Sequence, residues 1–357
     1  MPSRRSILAA ALLAPHLSHA APGLPAQPGL VFPRDFGSHP ETRIEWWYVT
    51  GSLEAAARRW GFQVTFFRAA TGFADSASRF AAGDVLFAHA AITDLEPARI
   101  RFDQRIARPG FGIAEARPGD TSLRLRDWRL GRESASGPSR YHASVASERA
   151  AFAFELTFDA TEPVLVQGQD GISRKGPAPA EFSHYYSEPQ LAARGHVALD
   201  GRAHEVTGRA WLDHEWSDSF LAPDAVGWDW IGMNLDDGAA LTAFQIRRAD
   251  GTTLWAGGSH RPRGGPTRNF APHEVTFEAE RRWTSPATRA IYPVRSRIVT
   301  PAGRFVVAAL LDDQEIDSRA SSGAVYWEGL SDLLVAQGRR VGGGYLEMTG
   351  YVAPLVL

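Results

Sequence analysis

The sequence predicts an all-β protein made of two similar units. Three observations carry that expectation: short runs of aromatic and β-branched residues bounded by Gly, Pro and Asp-Gly turns, little helical periodicity, and a weak internal repeat. Alternating, aromatic-rich runs of this length are half-buried strands, and many of them at regular spacing form barrels or sandwiches. The chain has 357 residues, more than a single core usually organises, so two domains are expected.

Residues 1–20 read as a signal peptide. Arg4-Arg5 precede the apolar run Ile7 to Ala14, which is too short to span a membrane, and Ser18-His19-Ala20 places small residues for cleavage. Ser3-Arg4-Arg5-Ser6-Ile7-Leu8 also fits a twin-arginine signal, so both export routes stay open. The expected product is periplasmic or secreted. No later segment is apolar enough to cross a membrane. Residues 21–33 are a Pro- and Gly-rich leader, and an N-terminal unit over 34–190 and a C-terminal unit over 191–357 follow. The boundary is placed after the irregular, Gly- and Pro-rich stretch Gln167 to Ala180.

Within the units, strands are predicted at Trp60 to Arg68, Val85 to Thr93, Ala151 to Phe158, Ala239 to Arg248, Val275 to Ala279, Phe305 to Leu311 and Tyr345 to Val352. Asp236-Asp237-Gly238 and Asp250-Gly251 read as hairpin turns. Glu54 to Arg59 is the one short stretch that suits a helical turn. The repeat aligns Trp46 with Trp228, Tyr48 with Trp230, Val49 with Ile231 and Leu53 with Leu235, each block followed by a strand that ends in Arg, Arg68 or Arg247.

Composition narrows the chemistry. The net charge is −2 with mixed signs, which argues against nucleic acid as a partner. There is no cysteine, which removes thiol nucleophiles, cysteine metal sites and disulfides. The single lysine, Lys175, is the only Schiff-base candidate, and its loop position tells against that role. No nucleophile elbow, phosphate loop, dinucleotide fingerprint or metalloprotease His spacing occurs. No metal and no cofactor are expected.

The strongest signal is Gly208-Arg-Ala-Trp211-Leu-Asp213-His214-Glu215-Trp216. In a strand, Trp211, Asp213 and Glu215 share one face, and Leu212, His214 and Trp216 the other. Titratable groups between indoles suit a small-molecule site with shifted pKa values. Regular alternation also means that only one of Asp213 and His214 faces a given pocket, unless a bulge intervenes. Around His39-Pro-Glu41, the run Glu45-Trp46-Trp47-Tyr48 adds a carboxylate to three aromatics. Core packing accounts for at least one of the tryptophans, but Glu45 would share a face with Trp47 and so needs a partner or a function. Tyr326-Trp327-Glu328-Gly329 repeats the pattern of an acid beside aromatics.

These blocks, with Gly61 to Arg68, Ala88-His89, Tyr185-Tyr186-Ser187, Trp228 to Gly238 and Gly344 to Tyr351, occur in order along nearly the whole mature chain. Together they resemble the AttH-like secreted proteins, labelled predicted secreted hydrolases and related to carotenoid 1,2-hydratase (hydroxyneurosporene synthase). The resemblance implies two tandem lipocalin-like β-barrel domains. It also implies hydration of an isoprenoid alkene without a cofactor, with His214 and Trp216 in the roles of the hydratase His and Trp. The hydratases add a Tyr and an Asp from the next strand, and Leu241 to Ile246 supplies neither. The expected ligand is an apolar isoprenoid- or lipid-like molecule. The acid that protonates it is sought first in Asp213, then in Asp229 and Glu45, with Trp47, Tyr48, Trp211, Trp228, Trp230, Trp327 and Glu328 around the ligand. Two other functions remain open on the sequence: a non-catalytic lipid or isoprenoid carrier, and an ester or lactone hydrolase.

Overall fold

The computed structural model describes residues 29–73, 82–133, 137–219 and 221–355. The expected signal peptide, its cleavage site and most of the leader lie outside the described residues. Among the described residues there is no α-helix, only two three-residue 3-10 turns, and no helix is long and apolar enough to cross a membrane.

The strands form two antiparallel sheets. The first contains β1 Ile44–Ala55, β2 Arg58–Ala70, β3 Asp84–Asp94, β4 Arg99–Ala107, β5 Ala114–Ala116, β6 Ser122–Leu125, β7 Trp128–Arg132, β8 Arg140–Ser147, β9 Phe152–Asp159, β10 Leu165–Val166, β11 Ile172–Arg174, β12 Phe182–Leu199 and β13 Arg202–Ser217. The second contains β14 Gly227–Leu235, β15 Ala240–Arg247, β16 Thr253–Arg261, β17 Arg268–Phe270, β18 Thr276–Thr284, β19 Ile291–Thr300, β20 Gly303–Ala309, β21 Glu315–Asp317, β22 Val325–Val335 and β23 Arg340–Met348. Neighbours run β4-β3-β2-β1-β13-β12-β9-β8-β7-β6-β5 in the first sheet and β17-β16-β15-β14-β23-β22-β20-β19-β18 in the second. The first sheet curls into a nearly closed barrel, the second into a half-barrel. The fold is all-β and lipocalin-like, as the sequence predicts.

The sheets divide the chain between Ser217 and Gly227. The expected break at 190/191 falls inside β12. The Gly- and Pro-rich stretch that suggested a linker is an excursion of the first sheet, whose β10 and β11 both pair back onto β12. The ladder slips between Glu188 and Leu191. There the Gln190 amide bonds the Leu235 and Ala239 carbonyls of the second sheet. Glu54 to Arg59 is not helical: it carries the β1–β2 turn, with Ala56 at φ 52°.

Alternation sets what each strand face buries. Trp47, Val49, Leu212 and Trp216 point into the first barrel. Ile231, Met233, Trp327, Leu346 and Met348 fill the second core. The opposite faces of the same strands meet between the sheets, where Tyr48, Trp211, Trp230, Phe244, Leu330 and Tyr345 form a third cluster. Gly232 makes that contact possible: a Cβ there would lie 2.4 Å from the Trp230 ring.

Candidate functional site

The sequence-derived candidates separate into two places on opposite faces of β1 and β13. The register pairs Glu45 with Trp216, Trp47 with His214 and Tyr48 with Asp213. Odd positions of β13 face the second sheet, even positions the barrel interior. The strand is regular here, so Asp213 and His214 do not share a site.

The barrel-side group is built on Glu45, which is fully buried. Its Oε1 accepts from His214 Nε2 at 2.9 Å and His39 Nδ1 at 2.8 Å, and its Oε2 accepts from Arg68 Nε at 3.1 Å. His39 Nε2 reaches Asp35 Oδ1 at 3.3 Å. Donating to two carboxylates makes His39 an imidazolium. Burial works to lower its pKa, but Glu45 and Asp35 outweigh it and the pKa is raised. The ring stacks on Trp216 at 3.8 Å. His214 is shifted the other way: burial lowers its pKa against the pull of Glu45. A neutral His214 that donates from Nε2 accepts a hydrogen bond from the Tyr186 hydroxyl at Nδ1, 3.2 Å away. For Glu45 itself, burial opposes ionisation, but hydrogen bonds from His214 and His39 bring its pKa down to about 2. The ligand atoms of His39, Glu45 and His214 lie within 4.8 Å of one another, a composition that could hold a metal ion. As built, both imidazoles donate to the carboxylate and Arg68 covers its other oxygen, so the hydrogen-bonded network accounts for each of these atoms.

The second place is a cavity between the sheets of about 120 Å³, several times the ~10–15 Å³ that one water needs on that scale. Its apolar wall includes Trp46, Phe67, Phe87, Trp228, Trp230 and Phe244. Four carboxyl side chains face it: Asp213 and Glu215 from β13, Glu328 from β22 and Glu347 from β23. Among the described residues, Lys175 is the only Lys or Arg in the lining. Its Nζ sits 2.7 Å from Glu215 Oε1 and under 5 Å from the Tyr185 and Phe244 ring centres.

Burial dominates the electrostatics. It pushes the Asp213 carboxyl up to about 7, against hydrogen bonds from Ser187 Oγ at 2.5 Å, Tyr185 Oη at 2.7 Å and Trp211 Nε1 at 2.7 Å. It pushes Glu347 up to about 7 as well, against a 3.1 Å bond from Trp228 Nε1 and with the charges of Asp213 and Glu215 adding to the rise. Glu328 is driven well above the usual carboxylate range by burial and then by Glu347. Glu328 Oε1 and the neighbouring Tyr48 hydroxyl are both buried without a well-formed hydrogen bond, although Glu328 helps to raise the pKa of Tyr48 and the Tyr48 hydroxyl works to lower that of Glu328. His89, on the far wall, has its pKa lowered to about 3 by burial and bonds Tyr326 Oη and Ser321 Oγ, each at 2.9 Å. At neutral pH the cavity therefore offers carboxylic acids beside indoles.

Of the sequence-derived residues, Asp213, Tyr48, Trp228, Trp230 and Glu328 line the cavity. Trp211 supports it through Asp213. His214, Trp216, Trp47 and Glu45 lie in the first barrel's interior. Asp229 lies in the second, where Gln245 Nε2 bonds it at 2.6 Å and Arg247 Nε at 3.1 Å. Trp327 is a core residue that donates to the Asp312 carbonyl. The repeat has a physical content: the terminal Arg of each unit, Arg68 or Arg247, pairs with an acid on its first strand, Glu45 or Asp229. Sequence reasoning passed over Glu347 and the ion-pair role of Lys175, and it placed Glu215 on the Asp213 face without counting it among the site residues. Glu347, a lone acid between Leu346 and Met348, carried the signal that would have found it.

Fold and cavity define a tandem-barrel protein with an acidic, aromatic-walled pocket at the contact of its sheets. The chain belongs to the AttH-like family, whose profile matches residues 24–351. A crystal structure from Nitrosomonas europaea assigned to AttH is 45% identical, with a TM-score of 0.85 over 92% of this chain and 99% of that one. Kievitone hydratase from Nectria haematococca shares the fold at a TM-score of 0.69 and 15% identity, over 93% and 95% of the two chains. The kievitone hydratase of Fusarium solani subsp. phaseoli is 24% identical over 168 residues, 46% of this chain and 47% of that protein. The match thus spans about half the length of that curated relative.

Proposed function

We propose that this protein hydrates an isolated carbon–carbon double bond of an apolar, isoprenoid-like ligand held between the two sheets, without a cofactor. The observation that carries the reading is the set of buried carboxyls around one aromatic-walled cavity, two with pKa values of about 7 and a third raised well above the usual carboxylate range. Protonating an alkene needs an acid that is still protonated at neutral pH, and desolvation supplies one. The resulting tertiary cation lies against indole faces, where each cation–π contact is worth roughly 0.5–2 kcal/mol. Water then adds to the cation and gives a tertiary alcohol. The relationship to kievitone hydratase supports this class of reaction.

The acid stays on the Asp213 face, where the sequence-based expectation sought it first, but His214 and Trp216 lie on the opposite face of the strand. His214 and Trp216 act as positioning residues behind the pocket wall. Export belongs to the same proposal, and N-terminal sequencing of the mature protein from a periplasmic extract tests it.

The activity test is incubation with acyclic terpenoid alkenes in ¹⁸O-labelled water, beside an ester panel, read by mass spectrometry. Label in a tertiary alcohol is the expected result. Terpenoid binding without product points to a carrier, and acid release from an ester points to a hydrolase; either outcome overturns the hydratase reading.

A further inference from the structure

Glu328 and Glu347 are direct partners across the β22–β23 ladder. Like charges placed opposite one another on one sheet face repel. Both side chains face the cavity. Glu328 is 2% exposed, while part of Glu347 is open to the cavity that it lines.

The groups facing the pair do not neutralise it. From β1 comes the Tyr48 hydroxyl, from β13 the acids Asp213 and Glu215, from β14 the Trp228 N–H, and from β3 a neutral His89. The one lysine, Lys175, is held by Glu215 at 2.7 Å. Two buried carboxyls with no cation of their own do not both ionise, and their protons titrate as a pair. Asp213 differs: three donors occupy its two oxygens. Glu328 Oε1 has no well-formed hydrogen bond, only the nearby Tyr48 hydroxyl.

We propose that Glu328 and Glu347 form a proton-sharing carboxyl pair and that this pair, not Asp213, is the acid of the pocket. The role as acid rests on the hydratase reading above; the shared proton does not. The reacting form carries a proton on each carboxyl: the Glu347 O–H bond breaks and its proton goes to the less substituted alkene carbon, where the π electrons form the new C–H bond. The tertiary cation and the Glu347 carboxylate are left, and the second proton, on Glu328, is then shared with that carboxylate and stabilises it. A water oxygen then bonds the cation, and its released proton restores the pair. One water is added, nothing is oxidised or reduced, and no co-reactant other than water is needed. Burial raises both carboxyls in the sense this requires.

The test uses the full-length protein and its Glu328→Gln and Glu347→Gln variants. Each keeps the side-chain shape and removes the repulsion, so both fold and melt no lower than wild type above neutral pH. Infrared spectra in D₂O across the neutral range read the protonated-carboxyl band directly. The expected result is that each variant loses intensity from that band at neutral pH and that the remaining member of the pair titrates lower than in wild type. A band unchanged by both variants, or a lowered melting temperature in both, overturns the shared proton. With an acyclic terpenoid alkene as probe, Glu347→Gln should cut ¹⁸O incorporation by at least about 100-fold, the usual weight of a general acid. Incorporation that survives Glu347→Gln overturns the acid role. Infrared loss with no turnover by wild type sinks the hydratase reading while the shared proton stands.

Discussion

Replacing Asp213 by Asn should make the protein more stable in alkaline solution and leave it almost unchanged in acid. Asp213 is 4% exposed, and burial raises its carboxyl from 3.8 to about 7. The rise is about three units, and at about 1.4 kcal/mol each it amounts to roughly 4 kcal/mol. The sign follows from where the proton sits. Between the unfolded value near 4 and the folded value near 7, the native chain holds a proton that the unfolded chain has released. The contribution of this group to stability is therefore full below about pH 4 and is lost as pH rises through about 7. Asn carries no such proton. Its Oδ1 can accept from Trp211 and Ser187, and its amide can donate to Tyr185 Oη after that hydroxyl turns, at a cost of about 1 kcal/mol for the altered bond. The variant should thus gain about 3 kcal/mol over wild type at alkaline pH. With an unfolding entropy of about 2.1 cal/mol/K per residue over 357 residues, that gain is about 4 °C in melting temperature. Scanning calorimetry of both proteins on either side of neutrality measures it. Parallel melting temperature–pH curves would refute a desolvated Asp213.

Two other changes probe the remaining charges. Glu45→Gln strips Arg68, 2% exposed, of its main anion and should cost about 3 kcal/mol in urea unfolding at neutral pH. Because the folded pKa of Glu45 is lowered from 4.5 to about 2, the wild-type advantage is present above about 4.5 and fades as pH falls toward 2, so the two unfolding curves should converge in acid. Lys175→Met keeps the contacts with Tyr185 and Phe244 but leaves Glu215 without its cation. The melting temperature should therefore fall, and by more than when the same change is made beside Glu215→Gln; an equal fall in both backgrounds would exclude the ion pair as its cause.

Alternation alone made half of the site legible. The pattern Trp211-Leu-Asp213-His214-Glu215-Trp216 assigns two faces in a strand, and both faces are as assigned. What a single strand does not reveal is which face meets the second sheet, because both carry tryptophan and titratable groups. The likeness to the hydratases directed attention to His214 and Trp216, and the barrel side is where these two lie. Glu347 escaped because its partner Glu328 is a neighbour only through the β22–β23 pairing; in sequence, each is one acid in an apolar strand. The domain boundary escaped for a similar reason. Gln167 to Ala180 has the composition of a linker, and its return to β12 is a tertiary fact.

The two groups on β1 and β13 are mechanically one. Glu45 joins β2 through Arg68, β13 through His214 and the preceding segment through His39, all inside the barrel. Three residues along β1 from Glu45 and one along β13 from His214, on the other face, Tyr48 stands opposite Asp213. A pleated strand held that firmly on one side fixes the direction of the side chains on the other. The buried, cation-compensated chemistry of Glu45 and the protonated chemistry of Glu328 and Glu347 are thus kept apart by a single sheet. Ionisation of Glu45 is stabilised by donors directed into the barrel. Burial raises the pocket acids against the few donors that they have. Arg68 and His39 are both engaged by Glu45 on the barrel side of the sheet, and Lys175, on the pocket side, is held by Glu215, so these cations do not neutralise the pocket acids.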